Sequence, residues 1–217
     1  MTPLDRVRAA CLALKVFPLP EAVLFPGTAI PLHVFEPRYR ALVRDCLATD
    51  QVMALVQLQP GWSDDSLARP PMQEMACAGT IVAHEALEDG KFNIVLQGLV
   101  RVRLLAELPP DNAYREVRAE MVEDEPYRGS GEESLRQAIL EVCQRLPPEA
   151  AEGLVQIAAQ NDGGALADVL GAALVLEPGR RQKILAERSV DARLQMVLGE
   201  IGALMAKLTP PGSSMPS

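Results

Sequence analysis

Aromatic residues are scarce in this chain, at 4% of 217 residues. A core of normal density must then be built from aliphatic side chains. Histidine is scarcer still, with only His33 and His84. A nucleophile–histidine–acid triad or a histidine-based metal site has few bases to draw on. Both histidines lie in strand-like runs, where packing or solvation is the ordinary fate. The four cysteines, Cys11, Cys46, Cys77 and Cys143, are far apart, with no Cys-x-x-Cys pair. That spacing excludes a zinc set and a dithiol redox motif. Free thiols in a reducing, cytoplasmic setting are the expectation. No apolar run approaches the length that spans a bilayer. The opening MTPLDRVRAACLALKVFPLP carries a short apolar stretch, but Lys15 interrupts it and no small-x-small site follows, which argues against an export signal.

Positive charge is also in short supply. The formal net charge is -8 and the pI about 4.9. A chain with this balance has no global attraction for phosphate backbones. Arg38, Arg40 and Arg44 cluster, and Arg101 and Arg103 alternate along one run. They could supply a local basic patch, but a solvated face is the ordinary explanation for such runs. The motifs of catalysis and cofactor binding are missing too. No Walker loop, no dinucleotide-binding glycine motif and no Gly-x-Ser-x-Gly elbow occurs. Asp64-Asp65 falls in a loop and Glu132-Glu133 at a helix start, so solvation and capping account for them. No cofactor, metal or catalytic residue is expected.

What is present divides at about residue 125. Before it, KVFPL, AIPLHVF, VMALVQL, CAGTIVAHEA, KFNIVLQGLVRVRLLAEL and YREVRAEMV read as strands. Asp89-Gly90 is the strongest hairpin signal, and Gly98 marks a bulge or a barrel corner. Pro37 opens a short helix over Tyr39 to Leu47. Such a set predicts a small closed or partly closed barrel over residues 1–125. Residues 126–208 read as a helical subdomain. Ser130 and Glu133 have capping-box spacing, and apolar stripes follow from Leu135 to Leu146. Val190, Leu194, Val197 and Ile201 open the stripe of a last helix running to Leu208. TPPGSSMPS, residues 209–217, reads as a flexible tail.

FPLPEAVLFPGTAIPLHVFEPRYRALVRDCL resembles the start of the N-terminal domain of Lon-type ATP-dependent proteases. The resemblance rests on Leu19-Pro20, Phe25-Pro26-Gly27 and Ile30-Pro31-Leu32, followed by the short helix. A second stretch is similar to the family's next signature, through Gly79-Thr80, Glu88-Asp89-Gly90 and Gly98 to Arg101. The FEPRYR variant, Phe35 to Arg40, is similar to the stand-alone bacterial form of the domain. The resemblance implies an α+β fold, a PUA-like pseudo-barrel of about six strands with a helical bundle behind it. It also implies a role, because in full Lon proteases this domain recognises substrate polypeptides and helps assembly. Neither the ATPase nor the Ser-Lys peptidase module is recognisable in this sequence.

The expectation is therefore a non-catalytic recognition or adaptor module in protein quality control. Its partners would be unfolded or hydrophobic polypeptides or other proteins, with no membrane, and a homo-oligomer is compatible with this role. RNA binding is the alternative, since the PUA-like class includes it, and the acidic balance argues against it. An unrecognised hydrolase finds too few bases. Trp62, Pro70 and Met72, in a loop rich in proline and aspartate, are candidate peptide contacts, with Phe35 and Tyr39 beside them. Trp62 could equally fold back over the barrel end.

Overall fold

The computed structural model describes residues 1–61, 69–129 and 131–208. The strands are β1 (Leu14–Leu19), β2 (Ala29–Val34), β3 (Val52–Gln57), β4 (Met75–Ala86), β5 (Phe92–Glu107) and β6 (Arg115–Met121). The helices are α1 (Pro3–Ala10), α2 (Pro37–Ala48), α3 (Glu132–Cys143), α4 (Pro148–Gln160), α5 (Gly163–Leu174), α6 (Pro178–Ala186) and α7 (Val190–Leu208). The chain forms two compact units, Met1–Glu123 with Glu177–Ala186, and Asp124–Leu176 with Glu187–Ser217. The sequence places residues 126–208 in one helical part, with 209–217 as a tail. In the structure α6 groups with the sheet instead. Gln182 Nε2 donates to the Met75 carbonyl at 2.8 Å, and Arg101 Nε donates to the Leu185 carbonyl at 2.9 Å.

The first unit is a mixed sheet in the order β2-β5-β4-β3-β1-β6. β1 and β3 are parallel; the other neighbours are antiparallel. An additional pairing of β5 with β6 closes five of the strands into a barrel. The length of β5, 16 residues, makes this possible. Its second half pairs with β6, while its first half pairs with β2. β2 therefore stands outside the closed barrel as an edge. Every residue of β3 is buried, as expected for an uninterrupted apolar run with packing on both faces.

The interior is aliphatic, as the lack of aromatics requires. Val7, Leu14, Val16, Val52, Val56, Val102 and Val117 form one cluster with small alanines between them. Val7 comes from α1, an N-terminal helix that the sequence reading left unassigned. Its signal was available in the capping box, where Thr2 Oγ1 accepts from the Asp5 N–H and Asp5 Oδ2 accepts from the Thr2 N–H.

Gly98 is a site of close backbone approach. A Cβ there would lie 2.2 Å from the Phe25 carbonyl oxygen. Gly98 faces Gly79 across the ladder while Ala78 faces Val100, so Leu99 is bulged out of the pairing. The hairpin at Asp89-Gly90 forms with Gly90 at φ +75°, the left-handed region that glycine enters without strain.

In the second unit, α7 packs against α3 and α5, and α4 packs against α3 and α5. Leu135, Ile139, Leu166, Leu170, Leu194 and Val197 are all buried. Ser130 lies outside the described residues, and the N-cap of α3 is Gly131, with no side-chain capping bond. Among the described residues, no helix is long and apolar enough to cross a membrane.

Candidate functional site

β2, the first half of β5 and the second half of β4 make a three-stranded flap beside the barrel. One face of it is packed. Val34, Phe92, Ile94 and Leu96 are buried. The other face is open, because alternation along a strand sends successive side chains to opposite sides. Two rows of side chains cross the open face in register. One is Pro31, Val95 and Ala83; the other is His33, Asn93 and Glu85. A groove of about 470 Å³ lies between them, with Leu32, Ile94 and His84 completing its lining.

The first row is apolar. The second is a hydrogen-bonded chain. Asn93 Nδ2 donates to Glu85 Oε2 at 2.9 Å. That orientation leaves Asn93 Oδ1 as the acceptor 2.8 Å from His33 Nδ1. With Asn93 Oδ1 as the acceptor, His33 Nδ1–H is the donor of this bond. Phe35, 57% exposed, stacks on the His33 ring with centroids 6.1 Å apart.

The charges around the groove are mostly self-compensated. Glu36 pairs with Arg38 at 2.8 Å. Asp89 pairs with Lys91, whose side-chain and backbone hydrogen bonds hold the Asp89 carboxyl below its ordinary range. Glu85 is different. Among the described residues its partner is the neutral Asn93 amide, and no cation meets it. The groove offers acceptors and apolar surface. Its lining contains no serine, threonine or cysteine to act as a nucleophile. Among the described residues no group of three or more His, Cys, Asp or Glu is placed to hold a metal.

The residues anticipated from the sequence are not brought together. Phe35 is exposed beside the groove. Tyr39 is a correction, being 6% exposed, with its ring 4.3 Å from Phe17 and its hydroxyl donating to the Pro18 carbonyl. Burial of its phenol raises its pKa. The helical periodicity that located Tyr39 also put it on the buried face of α2. Pro70 offers its carbonyl to Arg115 Nη1 at 2.7 Å. Met72 bridges to Leu58 and packs on the barrel core. Trp62 lies outside the described residues.

The arginines considered for a basic patch are dispersed in role. Arg101 is 3% exposed and bonds a backbone carbonyl, Arg103 pairs with Glu120 at 3.0 Å, and Arg38 pairs with Glu36. His33, Asn93, Val95 and Glu85 were not anticipated as a site. Their signal is the alternation in FNIVLQ, which puts Asn93, Val95 and Gln97 on one face, but which strands flank it is a tertiary fact.

Comparison with known proteins agrees with this fold. A Lon protease N-terminal domain protein from Xanthomonas campestris superposes with a TM-score of 0.64 at 26% identity, over 86% of this chain and 97% of that one. The N-terminal domain of the Mycobacterium avium complex Lon protease shares the fold, with a TM-score of 0.69 at 19% identity, over 88% of this chain and 98% of that one. By sequence, the chain is 28% identical over 193 residues to Lon protease 2 of Myxococcus xanthus, and 31% identical over 190 residues to the Lon protease of Roseiflexus castenholzii. Each of these matches takes in 85% of this chain and 23% of the relative. The family model for the ATP-dependent protease La (LON) substrate-binding domain matches residues 13–202, and the chain belongs to that family.

Proposed function

We propose that this chain binds unfolded polypeptide through the groove across β2, β5 and β4, and acts by binding alone. The observation that supports this most is the pairing of an apolar row, Pro31, Val95 and Ala83, with a row of polar side chains, on an open sheet face with Phe35 at its margin. Apolar side chains of an unfolded segment would cover the first row, and their main chain or polar groups would bond the second. The family's description as a substrate-binding domain supports the same reading. The chain spans about 23% of the length of its Lon relatives. The degradative activity of those proteins is not assigned to it. A recognition or adaptor role in protein quality control in the cytoplasm fits this reading.

The test is fluorescence anisotropy with labelled, reduced and carboxymethylated casein as a permanently unfolded probe. Val95→Glu puts a charge in the apolar row and should weaken binding about tenfold or more, which corresponds to about 1.4 kcal/mol. Thermal melting of the variant would verify that it folds. Unchanged affinity in a folded Val95→Glu protein would remove the groove from the account. Salt-sensitive binding of single-stranded RNA, with none of casein, would replace it with the nucleic-acid reading.

A further inference from the structure

The flap has two outer edges, and they differ. On one side is β2. The Gly98 N–H donates to the Thr28 carbonyl at 2.8 Å. Antiparallel pairs alternate between bonded and non-bonded. With Ile30 opposite Leu96 and Leu32 opposite Ile94, those residues bond to β5, and Ala29, Pro31 and His33 turn their backbones outward. Pro31 has no N–H, so the outward edge of β2 lacks a donor at its middle. This is a common device for blunting an edge.

The other edge is bare. β4 leaves β3 after Thr80, and the Ile81 N–H makes the last bond on that side, to the Gln51 carbonyl at 2.9 Å. Val82 is bulged out of the register with β5, Ala83 to Ala86 are paired on one side only, and all five residues are exposed. The Leu87 N–H donates to the Lys91 carbonyl at 2.9 Å, which sets the alternation. Glu85 and Ala83 bond to β5, while the N–H and C=O of His84 and Ala86 point away from it. Among the described residues no backbone group meets them. The register with β5 shifts at Val82 and Glu85 carries a charge, but beyond that bulge no proline removes a donor at His84 or Ala86.

The geometry points to β-strand addition: an extended segment of an unfolded polypeptide pairs with the free edge of β4 at His84 and Ala86. This deepens the proposed function and rests on it. Main-chain bonds would supply affinity that tolerates many sequences, and side-chain positions would supply preference. The guest residues flanking the one opposite His84 would extend the two rows of the groove. One would stand beside Ala83, continuing the apolar row. The other would stand beside Glu85, which lacks a cation. The preferred guest therefore carries an apolar residue and, two positions away, a basic one.

The test uses the full chain and a short labelled peptide repeating Val-Thr-Lys-Thr. Two further versions carry N-methyl groups on alternate sets of backbone nitrogens. Strand addition predicts a period-two response. One methylated set loses affinity about tenfold or more, because it removes the donors aimed at β4, and the other set binds like the parent. His84→Pro, which removes only an outward N–H, should lose affinity to a similar degree. Exchange of the peptide's Lys for Glu should weaken binding. Equal effects of the two methylated sets, or parent-like binding by both, overturn strand addition. If that result comes with casein binding that Val95→Glu still abolishes, the groove function survives and only its mode is wrong. If neither casein nor the peptide binds the wild-type chain, the functional reading itself falls, and strand addition with it.

Discussion

Arg193 is fully buried, and two carboxylates hold it. Its guanidinium nitrogens donate to both oxygens of Asp124 at 2.7 and 2.6 Å, and Nε lies 3.4 Å from Asp168. Such a pair is costly to break, since the remaining charge stays buried. Arg193→Ala should destabilise the protein by about 3–5 kcal/mol in urea denaturation, because it removes the buried cation beside Asp168, itself 3% exposed. A change below about 1 kcal/mol would contradict the buried pair. Cys46 makes a second residue-scale prediction. Burial pushes its thiol up to about 12, and Sγ donates to the Val52 carbonyl. The folded thiol holds its proton to higher pH than the unfolded one. Its stabilisation is thus complete below about pH 9 and is lost as pH rises from there towards 12. Within that window stability should fall by about 1.4 kcal/mol per pH unit from this group. Cys46→Ala should flatten the curve, and equal slopes would contradict the assignment.

At the scale of elements, the glycine bulge tests why the barrel and the flap share one strand. β5 can serve both because Gly79 and Gly98 let the backbones approach. Gly98→Ala places a methyl on the Phe25 carbonyl. The fold has to shift backbone to admit it, at about 1–3 kcal/mol in thermal or urea unfolding. A neutral result would mean that the bulge is not tightly packed. Gly98 was readable in the sequence as a bulge or corner because a glycine inside a strand run has few other uses. The helix from Val190 to Leu208 was readable in full, since its apolar spacing is strong. Arg193 was not singled out, although it falls three residues after Val190 on the apolar face. Its partners, Asp124 and Asp168, come from elsewhere in the chain. Periodicity likewise places Tyr39 on a helix face without telling that Phe17 and Pro18 cover it. α6 joined the sheet through Gln182 and Leu185, contacts between residues about a hundred positions apart that no local pattern contains.

At the scale of the whole molecule, an aliphatic barrel carries a flap whose packed face completes the core and whose other face is open. Among the described residues, only the flap combines an open sheet face, a hydrogen-bonded polar row and a free strand edge. The sequence held the strands, the turn and the family resemblance, whereas the groove depends on β2, β5 and β4 lying in register. The central claim, that polypeptide is bound there, is tested most directly by hydrogen–deuterium exchange with and without saturating carboxymethylated casein. The account predicts slowed exchange in residues 82–86, with little change in α3 and α7. Protection confined to residues 59–73 or to the helices, with residues 82–86 exchanging as in the free chain, would contradict it.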